Sequence, residues 1–462
     1  MVNQISRRAF LRGSLLVTGG LLAACAAPAA SPAPAASSGG EAAPAAAATN
    51  APATEDILLR WDTFRGIGTG WNEERIDTFK ALHPNVSIEL RPIVGTAQQD
   101  SYAKMYAAFA ADDLGEVIAF DPSHFQFWRA IDKNVIMPID DLIAASDIDL
   151  SEWYANFMGL QSYQGKQYGL PSWGWAGFDT LVTNAAHFKA EGIELPDVNA
   201  RDVSMDTIAE WAHRFYVENE RYGLSIGHGE SSVVTLTRAF GGDLINADGT
   251  QSMLLEDKSV EALRWAYKLA VEDKVLPAVG AIENVASAQV EGKVTMNWGG
   301  SLNVRNYDRD IKAAGVDPSV AEVWQVLLPA LPDGRFPSQL RGGTWNIRQA
   351  SEHADIAYEF IRHIAGKDGS TGFNLVGGNF AAVRPDVVAA LIAENPIHEW
   401  FLSSLENGIP AHAPVNSRGR EFTDAVAQYT DLLLDPNQPV DFEEGLQNLH
   451  DNVQAVLDMD AA

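Results

Sequence analysis

The sequence predicts an α/β fold built as two lobes, and three observations indicate it. The chain has 462 residues, which is enough for two or more hydrophobic cores. Its body opens with the pattern of a strand, a helix and a second strand. The stretch Tyr168–Phe178 then places Pro171, three glycines, Trp173 and Trp175 between two strand-like segments. Because proline and glycine interrupt a strand, we expect the chain to leave one lobe there and enter the other.

The composition is that of a globular chain with a strongly acidic charge balance. Hydrophobic residues make up 46% of the chain, and 61 acidic against 33 basic residues give a formal charge of −28. The negative electrostatic field of such a chain repels nucleic acid and anionic lipid. The single cysteine, Cys25, excludes an intrachain disulfide and a thiolate metal cluster, and the histidines match no zinc motif. We therefore expect neither a metal nor a cofactor, and no nucleic-acid partner.

Residues 1–25 have the pattern of an export signal. Ser6–Arg12 is basic, and the apolar run that follows it is too short to span a membrane. The segment resembles a twin-arginine signal, and its end, Leu22-Ala-Ala-Cys25, resembles a bacterial lipobox, in which the cysteine is lipidated. We expect an exported protein that a lipid on Cys25 anchors to the outer face of the cytoplasmic membrane. The alternative for Cys25 is a buried core thiol.

Residues 26–55 are almost entirely Ala, Pro, Ser, Gly and Thr. This composition cannot bury enough apolar surface to offset the entropy lost on ordering. About thirty such residues would extend ~30 Å as a coil. We expect a disordered tether between the lipid anchor and the folded body.

The first strands of the body end in acidic residues. The segments Ile57–Asp62 and Val86–Leu90 have strand patterns and flank a helix that carries Ile76, Phe79 and Leu82 on one side. Val117–Phe120 is a further strand that leads into Asp121. Ligands of open α/β sheets bind outside the carboxyl ends of the strands, so Asp62 and Asp121 are candidate site residues. The alternative role for both is the capping of a turn or helix.

Three junctions combine tryptophan with glycine. They lie at Trp173 and Trp175, at Trp298 and Gly299, and at Gly343 and Trp345. We expect each junction to be a crossing between lobes. This predicts one lobe from residues 56–170 with 295–342, and the other from residues 171–294 with 343–462. The alternative is that these tryptophans lie in the cores, since tryptophan is usually largely buried.

The order of segments resembles the family 1 extracellular solute-binding proteins of ABC importers, which include maltodextrin-binding proteins. The matching segments are Tyr168–Pro171 with Leu181–Asn184, Thr207–Trp211, Gly241–Asp243 with Asp248–Gly249, Glu291–Met296 before Gly299–Gly300, and Ala357–Ile361. The resemblance covers nearly all of the chain after Glu55. It implies a two-lobed, type II periplasmic-binding-protein-like fold. It also implies a monomeric, non-enzymatic protein that closes on a solute and presents it to a membrane permease.

Carried over by position, the resemblance implies a cleft lined by residues near the strand ends. These residues are Trp61, Asp62, Phe120, Asp121, Trp173, Trp175, Trp298, Gly299, Gly343 and Trp345. Indole rings stack on the apolar faces of sugars, and carboxylates accept hydrogen bonds from sugar hydroxyls. We therefore expect a sugar or oligosaccharide as the solute.

Other solutes stay open at this stage. Aromatic and acidic groups also suit a cation such as a polyamine. Arg65, Arg305 and Arg341 lie near the predicted junctions and could bind an acidic sugar or a phosphate. Ion pairs between the lobes are the favoured role for these arginines.

Two patterns in the sequence suggest enzymatic alternatives. Gly223–Gly227 matches the nucleophile-elbow pattern, in which Ser225 would be the nucleophile of a secreted hydrolase. The acidic pairs Asp112–Asp113 and Asp140–Asp141 could serve a glycosidase, but adjacent carboxylates rarely converge on one bond. A short pattern of this kind is common by chance, so we expect a binding protein rather than an enzyme.

Overall fold

The structure is a computed structural model that describes residues 55–63, 71–95, 98–121, 125–377, 383–410, 414, 416 and 418–460. The predicted export signal, Cys25, nearly all of the tether and Arg65 lie outside the described residues. In the part of the chain that is described, no helix has the length and apolar character needed to cross a membrane. The same residues contain no group of three or more His, Cys, Asp or Glu side chains that could hold a metal ion.

Strands and helices alternate through most of the described chain. The strands are β1 Ile57–Thr63, β2 Val86–Pro92, β3 Val117–Phe120, β4 Ser162–Tyr163, β5 Lys166–Gln167, β6 Leu170–Gly177, β7 Thr180–Asn184, β8 Tyr222–Ser225, β9 Val294–Gly299, β10 Val323–Leu327, β11 Phe336–Ile347 and β12 Gly408–Pro410. The helices of the first half are α1 Trp71–Leu82, α2 Gln98–Ala110, α3 Phe125–Asp132, α4 Asp140–Ala144, α5 Ala155–Leu160, α6 Ala185–Ala190, α7 Met205–Phe215 and α8 Glu230–Ala239. Those of the second half are α9 Asp257–Tyr267, α10 Val285–Val290, α11 Ser301–Ala314, α12 Ala354–Ala365, α13 Lys367–Gly377, α14 Pro385–Glu394, α15 Leu402–Asn407, α16 Gly419–Leu433 and α17 Phe442–Leu457.

The first sheet contains the predicted strand-helix-strand opening. Its order is β12-β11-β3-β1-β2, and β6 pairs with β11. β1 is parallel to both β2 and β3, whereas β11 runs antiparallel to β3 and to β6. The carboxyl ends of β1, β2 and β3 therefore lie at one edge of the sheet.

The helix of that opening packs through part of the predicted face, with Phe79 in the core and Ile76 against it. The sequence pattern placed Ile76, Phe79 and Leu82 toward the core, but Leu82 is 68% exposed. The buried residues of α1 are Trp71, Asn72, Arg75 and Phe79. Trp71, Arg75 and Phe79 are spaced four residues apart and share one side of the helix. Arg75 was absent from the predicted face because a charged residue is not expected in a core.

The second sheet has the order β10-β7-β9-β8. β7 runs antiparallel to β9 and β10, and β8 runs parallel to β9. Each sheet has its own hydrophobic core, one containing Trp61, Phe120 and Trp345 and the other containing Phe188 and Trp298. The two-lobed α/β fold is thus confirmed.

The predicted lobe boundaries do not follow these sheets. Residues 295–328 were assigned to the first lobe, but β9 and β10 pair with β7 in the second sheet. Residues 343–347 were assigned to the second lobe, but 344–347 pair with β3 in the first, and Gly343 pairs with β6 of the same sheet. The chain passes from the first lobe to the second after β6 and returns between β10 and β11. It passes to the second lobe again between β12 and α16. Trp298 and Trp345 therefore do not mark crossings, because one ends β9 ahead of α11 in the same lobe and the other lies within β11.

Candidate functional site

β6 and β11 continue past the carboxyl end of β3 toward the second lobe, and β12 pairs with β11 at Gln339 and Leu340. β3 ends at Phe120, which pairs with Thr344, whereas β6 and β11 go on pairing as far as Gly177 and Gln339. We call residues 173–177 and 339–343 the ribbon. It lies just past the carboxyl end of β3, which is where ligands of α/β sheets bind.

The second lobe meets the ribbon through the first turn of α8. β8 ends at Ser225, and α8 begins at Glu230. A carboxylate oxygen of Glu230, Oε2, accepts a hydrogen bond from Nη2 of Arg341 on the ribbon at 2.9 Å. The candidate site is therefore bounded by the ribbon, by the strand ends of the first lobe and by the start of α8.

Arg341 belongs to a network of four side chains. Its Nε donates to Oε1 of Gln339 at 2.9 Å, and its Nη2 also donates to the hydroxyl of Ser231. Nε2 of Gln339 donates to Oε1 of Glu230 at 3.1 Å, so both carboxylate oxygens of Glu230 have donors. Arg341 and Glu230 are 17% and 11% exposed. The favoured role of Arg341, an ion pair between lobes, is thus seen in the structure.

Four of the five candidate tryptophans are packed in the cores. Trp61 and Trp345 are 0% exposed, and Trp173 and Trp298 are 3% exposed. Trp345 meets Trp61 and Trp173 edge-on, with ring centroids 5.3 and 5.6 Å apart. These rings stabilise the first lobe and its junction with the ribbon, so the alternative of core tryptophans holds for them. The side chain of Trp175 lies outside the described residues, and its backbone pairs with Arg341.

The two candidate glycines make room for neighbouring side chains. A Cβ atom at Gly343 would lie 1.8 Å from Cζ2 of Trp173, so the indole ring occupies the space that a side chain would need. A Cβ atom at Gly299 would lie 3.0 Å from Cγ of Asn303. Both glycines have a packing role in this structure.

Asp62 is fully buried and paired within the protein. It accepts hydrogen bonds from Nε and Nη2 of Arg91 at 2.7 and 2.8 Å, and from the backbone N–H of Gly115 at 2.7 Å. Hydrogen bonding to the Asp62 carboxylate, which accepts from Arg91, is the main cause that raises the pKa of Arg91 above its usual value. A carboxylate held in this way is structural, so its predicted contact with a ligand is not favoured.

Phe120 and Asp121 end β3 at the predicted edge. Phe120 is 1% exposed and stacks on Tyr102, with ring planes 8° apart. The backbone N–H of Asp121 donates to the hydroxyl of Tyr102 at 3.0 Å, and the residue is 7% exposed. Phe120 is a core residue. Asp121 lies at the end of the strand, which is the position from which it was predicted as a site residue.

Sequence reasoning missed several polar groups near the strand ends. Glu230, Ser231 and Gln339 were not selected, although Glu230 follows a strand and the loop Gly227-His228-Gly229. Three further groups are buried amide oxygens with no hydrogen-bond partner in the described part of the chain: Oδ1 of Asn72, Oε1 of Gln126 and Oδ1 of Asn306. They lie in the first two turns of α1, α3 and α11, the helices that follow β1, β3 and β9. The only feature of the sequence that could have indicated these groups is their position after a strand.

The nucleophile-elbow pattern has a packing explanation. A Cβ atom at Gly223 would lie 1.9 Å from the carbonyl oxygen of Ala212, so glycine allows α7 to approach β8 closely. Ser225 is 4% exposed, and within the described residues it makes no hydrogen bond to a histidine. Nδ1 of the nearby His228 lies 2.8 Å from Oδ1 of Asp431 on α16. This geometry does not favour the hydrolase alternative.

Comparison with known proteins gives a family and a fold. Residues 74–399 match the profile of the family described as bacterial extracellular solute-binding protein. No curated protein sequence matches the chain. The fold is similar to that of the sugar-binding protein MalE from Xanthomonas citri, at 16% identity and a TM-score of 0.72 over 87% of this chain and 97% of that one.

Two further solved structures share this fold. UgpB from Mycobacterium tuberculosis, in complex with glycerophosphocholine, is 15% identical, with a TM-score of 0.70 over 87% of this chain and 98% of that one. The ABC substrate-binding protein Lmo0181 from Listeria monocytogenes, in complex with cycloalternan, is 17% identical, with a TM-score of 0.66 over 87% of this chain and 99% of that one. At these identities, the likeness shows the fold.

Proposed function

We propose that this chain, which belongs to the bacterial extracellular solute-binding protein family, captures a carbohydrate between its lobes and delivers it to the permease of an ABC importer. The observation that carries the proposal is the ribbon. It extends the first sheet past its parallel strand ends and meets α8 of the second lobe. Such edges are the usual ligand sites of α/β folds, and hinged lobes close around the ligand.

Hydrogen-bonding chemistry near the strand ends favours a carbohydrate. Each sugar hydroxyl can donate a hydrogen bond, and the amide oxygens of Asn72, Gln126 and Asn306 have no donor among the residues that the structure describes. A buried oxygen without a donor is costly, so a solute that supplied donors after a small rearrangement would gain from it. The fold neighbours include a sugar-binding protein and a complex with cycloalternan.

A thermal-shift screen tests the solute class. The purified protein is heated with neutral oligosaccharides, uronic acids and polyamines, and a cleft ligand raises the melting temperature by mass action. At one hundred times its dissociation constant, a ligand adds about 2.7 kcal/mol to stability. A shift with polyamines and none with any carbohydrate would replace the carbohydrate proposal with the polyamine alternative.

Trp175 is the ribbon tryptophan that we propose as the platform for a sugar ring. Trp175→Ala should weaken binding of the sugar identified by the screen roughly tenfold, because an aromatic stack adds about 1 kcal/mol beyond its buried area. Trp175→Phe keeps a ring and should retain part of the affinity. Isothermal titration calorimetry measures both variants, and unchanged affinity in Trp175→Ala would remove this residue from the site.

We also propose that residues 1–25 direct export and that Cys25 carries the lipid anchor. The proposal rests on the paired signal and lipobox patterns in the sequence. Cys25→Ala should move the protein from the membrane fraction to the soluble fraction, because the anchor is lost. Mass spectrometry of the N-terminus checks the wild type. An unprocessed, unlipidated N-terminus on membrane-isolated protein would contradict the proposal.

A further inference from the structure

The candidate site contains an ion pair that joins the two lobes. Arg341 lies on the ribbon and Glu230 begins α8, and their side chains are mostly buried. A salt bridge that is shielded from solvent is less screened by salt than an exposed one. Each side chain therefore contributes strongly to the electrostatic potential nearby, and the negative charge of Glu230 largely cancels the positive charge of Arg341.

Glu230 balances two sources of positive potential. One is the guanidinium of Arg341 at 2.9 Å. The other is the N-terminal end of α8, a helix of ten residues that begins at Glu230, since a helix N-terminus attracts negative charge. Without the carboxylate, both would be available to an anion that entered beside the ribbon.

The rest of the network keeps the carboxylate in place. Gln339 receives a hydrogen bond from Arg341 and donates one to Glu230, while Ser231 accepts one from Arg341. An acidic solute would have to displace a carboxylate that three donors hold, on Arg341, Gln339 and Ser231, or lie next to it. Both are unfavourable, because like charges repel and a displaced buried carboxylate loses its partners.

We infer that Glu230 is a specificity-determining residue, which cancels the charge of Arg341 so that the site accepts neutral solutes and rejects acidic ones. This inference rests on the proposed function, and it deepens that function by naming the charge class of the solute. It assigns Arg341 the role of an internal counter-ion rather than that of an anion receptor.

The variant Glu230→Gln tests the inference. Glutamine has nearly the same shape and can still bond to Gln339, but it leaves the charge of Arg341 unbalanced. We expect the affinity for galacturonic acid to rise about tenfold relative to a neutral sugar, because a charge-assisted hydrogen bond becomes available. The gain should diminish as salt is added. Calorimetry at two salt concentrations measures the ratio of affinities.

A matched control removes the same charge from the surface. Glu291 is 54% exposed and pairs with Lys293, so Glu291→Gln changes the net charge of the protein without touching the network. It should leave the preference between galacturonic acid and a neutral sugar unaltered. A folded Glu230→Gln protein whose preference matches this control would overturn the inference.

The reverse variant covers the case in which Glu230→Gln does not fold. Arg341→Gln leaves Glu230 unbalanced and should increase the affinity for spermidine about tenfold, by the same argument with opposite sign. A folded Arg341→Gln protein with wild-type affinity for spermidine would also overturn the inference. If the wild type binds no carbohydrate, the proposed function fails, whereas the affinity of Arg341→Gln for spermidine still reports on the ion pair.

Discussion

At the scale of single residues, Asp62 acts as a structural acid at the end of a strand. It is 0% exposed and holds Arg91 through two hydrogen bonds. Asp62→Ala would leave that arginine without its buried partner, so the free energy of unfolding should fall by about 3–5 kcal/mol. Urea unfolding measures the change. Asp113, which contacts the same arginine from the surface, provides the control, and Asp113→Ala should have a much smaller effect. Equal losses in the two variants would contradict the structural role of Asp62.

Gly343 allows a second test at this scale, because its neighbour Trp173 fills the space of a side chain. Gly343→Ala should lower the free energy of unfolding by about 1–3 kcal/mol, since a new methyl group overlaps a buried ring. Thermal unfolding checks this. The control is Gly159→Ala in α5, where a Cβ atom would meet nothing within 4 Å. Wild-type stability in Gly343→Ala would show that the ring moves aside freely.

The tryptophans show why sequence alone does not separate a ligand platform from a core ring. A tryptophan beside glycine is expected at a sugar platform, and equally where a ring packs against bare backbone, as Trp173 does on Gly343. Both arrangements need a large ring next to a small residue. Which side of the strand faces solvent depends on pairing with distant strands, and a single sequence does not contain that information.

At the scale of elements, one arginine connects the segments that flank the lobe crossings. Arg201 is paired at 2.7 Å with Asp179, which follows β6, and it donates to the carbonyl of Leu328 after β10. The hydroxyl of Ser404 on α15 also donates to Asp179, at 2.9 Å. Since these side chains are nearly inaccessible to solvent, the cluster ties the crossings together.

This cluster predicts a difference between single and double variants. Arg201→Met leaves a buried carboxylate unpaired and should cost about 3–5 kcal/mol of unfolding free energy, whereas Arg201→Met combined with Asp179→Asn removes both charges and should cost clearly less. A double-mutant cycle by urea unfolding measures the coupling. If the losses of unfolding free energy in the single variants simply added in the double variant, Arg201 and Asp179 would not be energetically coupled.

Elements that depend on neighbouring residues in the chain were predicted well. The strand-helix-strand opening follows from local periodicity, and β1, α1 and β2 occupy the expected segments. The lobe boundaries failed because they depend on non-local pairing. β9 joins β7 across more than one hundred residues, and nothing in the local pattern of either strand specifies the other.

At the scale of the whole molecule, two partly buried histidines predict how stability depends on pH. Burial lowers the pKa of His187 to about 4 and that of His398 to about 4, with smaller contributions from Arg221 and Arg305. In the unfolded chain a histidine takes up a proton near pH 6.5. Between these values the unfolded state binds more protons than the folded state, so stability must fall as the pH is lowered from about 6.5 to about 4.

The contribution of these histidines can be separated from that of the many carboxylates. A variant with His187→Gln and His398→Gln cannot take up the two protons on unfolding, so its stability should decline less steeply between pH 7 and pH 4.5. Urea unfolding at several pH values gives the two slopes, and His213→Gln on the surface is the control. Because carboxylate titration is common to all three proteins, it cancels in the comparison. Identical slopes in the wild type and the double variant would show that the two imidazoles become protonated equally in the folded and unfolded states.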